Sequence, residues 1–255
     1  MLELNKIYCM DNIAGMKLLD DNSIDLTITS PPYDDLRNYN GFKWDFEKVA
    51  KHLYRITKIG GTIVWIIGDE TINGSESGNS FRQALYFMSI GFNLHDTMIW
   101  ERPSFTAVGS LKTRYAPVFD YMFVFTKNKI KTFNPIKDRV NKYAGTKVHG
   151  NIRQKNGTCK PVSNHNIIAD FGQRYNIWEI SNVGKSGTKH PATFPEQLAK
   201  DHILSWSNEG DLILDPFMGS GTTAKMAKLN NRNFIGFEIS QEYCDIAEKR
   251  LKNIE

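Results

Sequence analysis

A short loop, Ser30-Pro31-Pro32-Tyr33, directly follows an apolar run that ends at Thr29. Two consecutive prolines fix the backbone and remove two N–H donors, so the neighbouring carbonyl groups are held rigidly and face the adjacent cleft. An amino group suits such a loop, because it has two hydrogens to donate and the Ser30 hydroxyl and the Pro31 carbonyl can accept both. The Tyr33 ring is then placed to stack on a base drawn out of a duplex. Taken alone, a Pro-Pro pair favours a simpler interpretation, a turn at a strand end with an ordinary buried tyrosine.

A second candidate site is the stretch from Asp211 to Thr223, which has the pattern of an apolar strand, a glycine-rich turn and a helix start. Glycines let the backbone approach a ligand, and a helix N-terminus offers unpaired N–H groups. A further apolar run, from Asn233 to Phe237, ends in Glu238. An acidic side chain at that point can accept hydrogen bonds from both hydroxyls of a ribose. These features predict a site for a nucleoside-type cofactor, and the alternative is a purely structural turn.

Two phosphate-binding motifs do not fit. Gly184-Lys185-Ser186 resembles the end of a P-loop, but Glu179 stands where that motif requires its first glycine. The turn at Gly219 is not a complete dinucleotide fingerprint, because Ala224 occupies the last glycine position, although alanine is sometimes tolerated there. A cofactor without a pyrophosphate therefore suits this shorter turn.

The bulk composition is that of a globular chain. With 255 residues, 40% of them hydrophobic, it can bury one sizeable core, and one large domain with an insertion fits better than two independent domains. No apolar run reaches the roughly 20 residues that span a bilayer, and the first residues lack a signal-peptide pattern, so we expect a cytoplasmic protein. Cys9, Cys159 and Cys244 have no paired spacing, which predicts free buried thiols and no metal site.

The charge is unevenly distributed along the chain. The net charge is +4, but the segment from Lys127 to Tyr175 contains eleven basic and two acidic residues, so it carries +9 and the rest carries −5. A concentrated positive charge suits a polyanionic partner, because counterions released from phosphates drive association. A solvated, lysine-rich loop region is the alternative.

Short β-branched runs alternate with amphipathic stretches, which predicts an α/β fold with a mostly parallel sheet. The segment from 128 to 181 breaks this alternation and is predicted to be an inserted region. The expected strands are 6–10, 25–29, 62–67, 98–101, 121–125, 212–215 and 234–237, and the expected helices are 46–56, 80–88, 196–205, 222–229 and 241–251.

The two motifs together, Ser30-Pro31-Pro32-Tyr33 and Asp215 to Thr223, resemble those of the β group of amino-methylating (N4-cytosine or N6-adenine) DNA methyltransferases, in which the catalytic motif precedes the cofactor motif. Related enzymes that act on protein glutamine or on RNA show Asn-Pro-Pro-Tyr after the glycine motif. The resemblance implies the Rossmann-like fold of S-adenosylmethionine-dependent methyltransferases, with a mostly parallel seven-stranded sheet. It also implies S-adenosylmethionine as cofactor and catalytic roles for Ser30, Pro31, Pro32 and Tyr33.

The same resemblance assigns the cofactor site. The segment from His190 to Pro195 is similar to the family's segment that helps cover the cofactor, with Phe194 near it. Asp11 is similar to an acidic residue that contacts the adenine amino group, although it can equally cap a helix from Asn12 to Leu19. The residues expected to bind the cofactor are Asp11, Phe194, Asp215, Phe217, Gly219, Ser220, Gly221, Thr222 and Glu238.

By the same resemblance, the chain divides into a catalytic half (1–127), a basic target-recognition region (128–181) and a cofactor-binding half (182–255). Double-stranded DNA is the expected partner, and the family allows a cognate restriction endonuclease and a homodimer. Asn151, Arg153, Gln154 and Asn164 are candidates for reading base edges. The residues expected to contact DNA are Lys137, Arg139, Lys142, Lys147, Arg153 and Lys155.

The expected reaction is a direct in-line displacement at the methyl carbon. Methylation at cytosine carbon 5 would need a nucleophilic cysteine, normally after proline, and none of the three cysteines follows one. In the family, Ser-Pro-Pro-Tyr tends to accompany cytosine N4 and Asp-Pro-Pro-Tyr adenine N6, so Ser30 favours cytosine and adenine N6 is the alternative. More remote alternatives are an RNA or protein methyltransferase and an inactive DNA-binding module.

Overall fold

The computed structural model describes residues 2–33, 44–103, 113–148, 150–161, 167–181 and 194–254. Strands and helices alternate through most of this range, as the sequence predicts. The strands are β1 (Lys6–Cys9), β2 (Ile24–Thr29), β3 (Thr57–Ile67), β4 (Thr71–Ile72), β5 (Ser75–Glu76), β6 (Asn93–Glu101), β7 (Phe119–Thr126), β8 (Arg139–Val140), β9 (Asn151–Arg153), β10 (Cys159–Pro161), β11 (Phe171–Gly172), β12 (Ile177–Glu179), β13 (Leu212–Asp215) and β14 (Asn233–Glu238). The helices are α1 (Asn12–Lys17), α2 (Phe46–Ile56), α3 (Asn79–Ser89), α4 (Glu196–Trp206), α5 (Thr222–Leu229) and α6 (Gln241–Lys252).

Within the described residues, eight strands form the main sheet, in the order β1-β14-β13-β2-β3-β7-β6-β12. Of these eight, β7 alone runs against the others, since it is antiparallel to both β3 and β6 while the other pairs are parallel. The mostly parallel sheet is therefore confirmed. It has eight strands in place of the expected seven because β12 pairs with β6 at one edge.

The five parallel strands β1, β14, β13, β2 and β3 end at the same edge of the sheet. This edge collects the candidate residues, because Thr29, Asp215 and Glu238 are the last residues of β2, β13 and β14. Ligands of open α/β sheets bind outside the carboxyl ends of the strands. The topology thus brings together two motifs that lie far apart in the sequence.

Helices cover both faces of the sheet, so the central strands are almost continuously apolar. In β3, Val64 and Ile66 belong to one core cluster, whereas Ile63, Trp65 and Ile67 belong to the other. Helices α4, α5 and α6 contribute to the first cluster, and α1, α2 and α3 contribute to the second. None of the helices in the described ranges is long and apolar enough to cross a bilayer.

The chain divides into two compact units, one of Met1–Asn134 with Asn176–Glu255 and one of Pro135–Tyr175. The second unit contains two short antiparallel pairs, β8 with β11 and β9 with β10, and an ion pair between Arg174 and Asp138. The sequence segment 128–181 is longer than this unit, because its last residues include β12 of the main sheet.

All three cysteines are free thiols, as expected, but the prediction that they are buried is wrong for two of them. Cys244 is buried on α6, whereas Cys9 and Cys159 are exposed. Both exposed cysteines lie in strands at positions whose side chains face solvent.

Candidate active site

The loop Ser30-Pro31-Pro32-Tyr33 leaves the end of β2, and its first residue contacts its last. The Ser30 hydroxyl donates a hydrogen bond to the Tyr33 hydroxyl across 3.0 Å. Pro31 is buried, the other three residues are half-buried, and the Tyr33 ring packs against the second core cluster. A hydroxyl has one proton and two lone pairs. Because Ser30 gives its proton to Tyr33, its oxygen is left as a hydrogen-bond acceptor.

The glycine turn between β13 and α5 has the backbone conformation that requires glycine. Gly219 and Gly221 have φ values of +51° and +81°, in the left-handed region. A Cβ atom on Gly221 would lie 2.8 Å from the Cβ of Ala247 on α6, so the turn is also pressed against that helix. The conformation of the turn therefore requires both glycines, independently of any bound ligand.

Glu238 lies at the tip of β14, beside the glycine turn. Its Oε2 accepts a hydrogen bond from the Gly219 N–H across 2.8 Å, and its Oε1 accepts one from the Ser240 N–H across 2.9 Å. Burial raises the pKa of Glu238, and the backbone hydrogen bonds act in the opposite direction. A carboxylate has about four lone-pair positions, so each oxygen can still accept a ribose hydroxyl.

Asp215 joins the two halves of the site. Its carboxylate accepts hydrogen bonds from the hydroxyls of Thr29 and Thr223, each across 2.7 Å, and from the Phe217 N–H across 3.0 Å. Burial raises its pKa to about 6, although the three hydrogen bonds pull the pKa down. Asp215 therefore holds the residue before Ser30 against the start of α5, and its expected contact with the cofactor stays a prediction.

Three other predicted cofactor residues have defined contacts within the protein. Asp11 accepts a hydrogen bond from the Ala14 N–H across 2.9 Å, so the helix-cap interpretation is confirmed. Phe217 packs edge-on against Trp44, with ring centroids 5.0 Å apart, and Phe194 packs against the first core cluster. Their contacts with the cofactor stay predictions. The segment 190–193 that precedes Phe194 lies outside the described residues.

The sequence analysis did not predict that an arginine side chain holds the glycine turn through hydrogen bonds. Arg250 on α6 donates to the Ser220 carbonyl across 2.7 Å, to the Ser220 hydroxyl across 2.9 Å and to the Thr222 hydroxyl across 3.3 Å. Ser220 and Thr222 are both buried. Their side chains are therefore occupied inside the protein, and a cofactor would meet the backbone of these residues. Nothing in the helical pattern of α6 distinguishes Arg250 from its exposed neighbours.

An ion pair between a half-buried arginine and a buried aspartate, next to the catalytic loop, was also not predicted. Arg102 and Asp120 lie 3.2 Å apart at the edge of the sheet where β6 ends and β7 begins. A Cβ atom on Gly68 would lie 2.7 Å from Asp120 Oδ1 and 3.5 Å from Cε2 of Tyr33. The absence of a side chain at Gly68 therefore makes room for the carboxylate next to the Tyr33 ring.

The six residues predicted to contact DNA all lie in the second compact unit. Five of them are exposed, and Arg139 is half-buried, with its guanidinium 4.6 Å from the centroid of the Tyr175 ring. Asn151 and Gln154 are described as well, whereas residue 164 is outside the described ranges. Among the residues that the structure describes, no cluster of His, Cys, Asp or Glu could hold a metal ion.

Comparison with known proteins identifies the family of the chain. The model of the N6/N4 DNA methylase family matches residues 24–249. The orphan methyltransferase M.BamHII of Bacillus amyloliquefaciens is 57% identical over 243 residues, which cover 92% of this chain and 91% of that protein. The solved structure of M1.HpyAVI with S-adenosylmethionine is 26% identical, with a TM-score of 0.66 over 96% of this chain and 99% of that one. The PvuII DNA methyltransferase (cytosine-N4-specific) has a TM-score of 0.69 at 22% identity, over 96% and 85%. The chain therefore belongs to the family of N6/N4 amino-methylating DNA methyltransferases, and its cofactor is S-adenosylmethionine.

Proposed function

We propose that this DNA methyltransferase transfers the methyl group to the exocyclic amino nitrogen of a flipped base, with cytosine N4 as the favoured target and adenine N6 as the alternative. The observation that carries the proposal is the Asp215 carboxylate, which binds Thr29 and Thr223 at once. This contact fixes the loop that would hold the amino group relative to the turn that would hold the cofactor. A fixed separation between two reactants is the main requirement of a direct displacement.

The residues at the edge of the sheet suit S-adenosylmethionine. The Glu238 carboxylate keeps lone pairs for the two ribose hydroxyls, and the left-handed glycines let the backbone come close to the ligand. Phe217 offers an apolar face beside Trp44. When bound, the cofactor supplies a methyl group on a sulfonium, which is reactive enough to need no covalent enzyme intermediate.

In the proposed mechanism, Ser30 and Pro31 orient the amino group of the base. The Ser30 oxygen and the Pro31 carbonyl accept its two hydrogens, which turns the nitrogen lone pair toward the methyl donor. Tyr33 holds the Ser30 proton through their 3.0 Å hydrogen bond and stacks its ring on the base. The proton is lost from nitrogen after transfer, so the loop has no need of a strong base.

The preference for cytosine is supported by the identity of Ser30. Either a hydroxyl or a carboxylate can accept the hydrogen bond from the amino group, so the support comes from the resemblance, in which Ser-Pro-Pro-Tyr tends to accompany cytosine N4. One structural neighbour is named as cytosine-N4-specific, but at 22% identity it supports the fold alone.

The test is to incubate the protein with S-adenosylmethionine and unmethylated genomic DNA, digest the DNA to nucleosides and identify the products by mass. We expect N4-methylcytosine. N6-methyladenine in its place would overturn the choice of base. Neither product, from a protein shown by calorimetry to bind the cofactor, would overturn the proposed function.

We also propose that the second compact unit recognises the DNA sequence. Eight basic and two acidic residues give Pro135–Tyr175 a net charge of +6. Such a unit can hold phosphates with its lysines and arginines while amide side chains such as Asn151 and Gln154 read base edges. A restriction endonuclease partner, a homodimer and a cytoplasmic location stay predictions.

A further inference from the structure

Three charged side chains from three helices meet beside the glycine turn, and we call them the Glu196 cluster. Glu196 Oε1, on the first residue of α4, lies 2.7 Å from Lys225 Nζ on α5 and 2.8 Å from Arg250 Nη2 on α6. The other end of the Arg250 guanidinium reaches Ser220 and Thr222 through the hydrogen bonds described above. A single chain of contacts thus runs from the start of α4 to the middle of the turn.

The turn needs such a restraint because of its two glycines. Ser220 stands between Gly219 and Gly221, and glycine gives the backbone more conformational freedom than any other residue. Arg250 binds both the carbonyl and the hydroxyl of Ser220, so it fixes the peptide between the glycines in one orientation. The planar guanidinium can satisfy these acceptors and Glu196 together, which an ammonium group cannot do with the same geometry.

Glu196 connects this restraint to a second segment that is expected to bind the cofactor. It follows Phe194-Pro195 directly, and Phe194 is expected to lie near the cofactor. Glu196 is also an acidic residue in the first turn of α4, where the helix dipole favours a negative charge. Burial acts to raise the pKa of Glu196, but hydrogen bonds from Lys225 and Arg250 outweigh it and lower the pKa. The carboxylate is therefore ionised at neutral pH and available to both cations.

We propose that Arg250 and Glu196 are positioning residues for S-adenosylmethionine, which act by holding the glycine turn and the start of α4 in the arrangement that binds the cofactor. Neither side chain is assigned a contact with the cofactor. The inference rests on the proposed placement of the cofactor at the glycine turn. The inference predicts that variants of Arg250 and Glu196 lose cofactor affinity, whereas the proposed function predicts a methylated base as product. An experiment can therefore contradict one proposal and leave the other intact.

The test measures cofactor binding by the full-length protein with calorimetry, together with KM and kcat for S-adenosylmethionine and the melting temperature. We expect Arg250→Ala to weaken binding at least about tenfold, a clear separation on the affinity scale. We expect the KM to rise in parallel and kcat at saturating cofactor to change little. Arg250→Lys should restore part of the affinity, and Lys249→Ala, which changes an exposed neighbour on α6, should bind as the wild type does.

Glu196→Gln and the double variant Glu196→Gln/Arg250→Gln distinguish positioning from general stabilisation. If the two residues act through one contact, the loss of affinity in the double variant is smaller than the sum of the two single losses. Additive losses, or variants with lowered melting temperature but unchanged cofactor affinity well below melting, would overturn the proposal. If Arg250→Ala does not fold, Glu196→Gln decides the outcome, because it keeps the shape of the side chain and removes only its charge.

Discussion

The Ser30 hydroxyl donates to the Tyr33 hydroxyl. In this arrangement the Ser30 oxygen keeps its lone pairs, so it can accept a hydrogen from an incoming amino group. The Pro31 carbonyl is a second acceptor, and its direction is restricted because the following Pro32 limits the ψ angle of Pro31. The loop thus presents two acceptors and no donor from these groups, which matches an amino group better than a carbonyl or ring nitrogen.

Two variants of Tyr33 separate the role of its ring from the role of its hydroxyl. Tyr33→Phe keeps the ring but removes the partner of Ser30, so we expect a moderate fall in kcat with unchanged cofactor affinity. Tyr33→Ala also removes the stacking surface, which is worth about 1–3 kcal/mol per base in single-stranded complexes, and should lower turnover much further. Single-turnover methylation and calorimetry measure the two effects. Equal rates for the Phe and Ala variants would contradict a stacking role for the ring.

The Asp215 carboxylate predicts a specific pH dependence of stability. Its pKa in the folded protein is about 6, above the roughly 3.9 of an exposed aspartate. The folded state therefore binds this proton more tightly, so the contribution to stability is complete below pH about 4 and is lost as pH rises through about 6. The difference between the folded and unfolded pKa values of Asp215 corresponds to about 3 kcal/mol in the free energy of unfolding.

Asp215→Asn removes this titration. The free energy of unfolding of the wild type minus that of the variant, measured with urea, should fall by about 2 kcal/mol between pH 4.5 and pH 7.5 as the Asp215 carboxyl ionises. The Glu238 pKa is also raised by burial, but Glu238 is present in both proteins, so only its weak charge coupling to Asp215 differs between them. A difference that does not change with pH would show that Asp215 has an ordinary pKa.

At the scale of helices and strands, the sequence pattern predicted most of the first unit. Helices α2 and α5 have the predicted bounds, α4 and α6 each extend one residue further at the C-terminal end, and α3 extends one residue further at both ends. The apolar runs work as predictors because the central strands, such as β2, β3 and β13, are buried on both faces. Strand β3 begins five residues earlier than expected, since Gly60-Gly61, which has the pattern of a break, lies inside the strand, where a Cβ atom on Gly61 would approach the Asp25 carbonyl to 3.0 Å.

What the sequence could not predict depends on contacts between distant elements. Strand β12 has three residues, too few to show a period, and it is a strand only because β6 offers an edge. The catalytic and cofactor motifs were predicted from their residue types. The contact between Arg250 and Glu196 was not, because it joins residues 54 positions apart. The two motifs contain the groups expected to contact ligands. The residues that hold those groups in place have no local sequence pattern from which their role could be predicted.

Two glycines with the same backbone conformation give a controlled test of the turn. Gly221 and Gly210 have φ values of +81° and +82°. A Cβ atom added at Gly221 would contact Ala247, whereas a Cβ atom added at Gly210 would have no atom within 4 Å. Gly221→Ala and Gly210→Ala should share the cost of a left-handed alanine, about 1 kcal/mol. We expect only Gly221→Ala to lose cofactor affinity as well. Melting temperature and calorimetry on both variants make the comparison, and equal cofactor affinities would contradict it.

At the scale of the whole molecule, charge divides the protein into a basic unit and a mildly acidic remainder. The net charge of the chain is +4 and the second unit carries +6, so the first unit carries −2. The acidic remainder repels the phosphate backbone, and the basic unit attracts it. This distribution favours approach of DNA through one unit and leaves the cofactor, a small molecule, to the other.

Replacing Lys142, Lys147 and Lys155 with glutamine in one protein should weaken DNA binding and leave cofactor binding unchanged. Each lysine that neutralises a phosphate contributes close to −0.9 to the slope of log affinity against log salt, so the slope should become less negative by up to about 3. Fluorescence anisotropy with labelled DNA over a series of salt concentrations measures this slope. The matched control replaces Lys48, Lys51 and Lys249, exposed lysines of the first unit. An equal change in the control would show that only net charge matters.

The hydrogen bond between Thr29 and Asp215 also has a consequence for how the protein is made, because it joins residues 186 positions apart. Strand β2 is synthesised long before its neighbour β13 in the middle of the sheet. Until β13 emerges, β2 has an open edge, and edges of this kind are sites of mispairing and slow folding. A nascent chain can therefore carry the whole Ser30–Tyr33 motif and still have no site for methyl transfer, which forms only when β13 inserts beside β2.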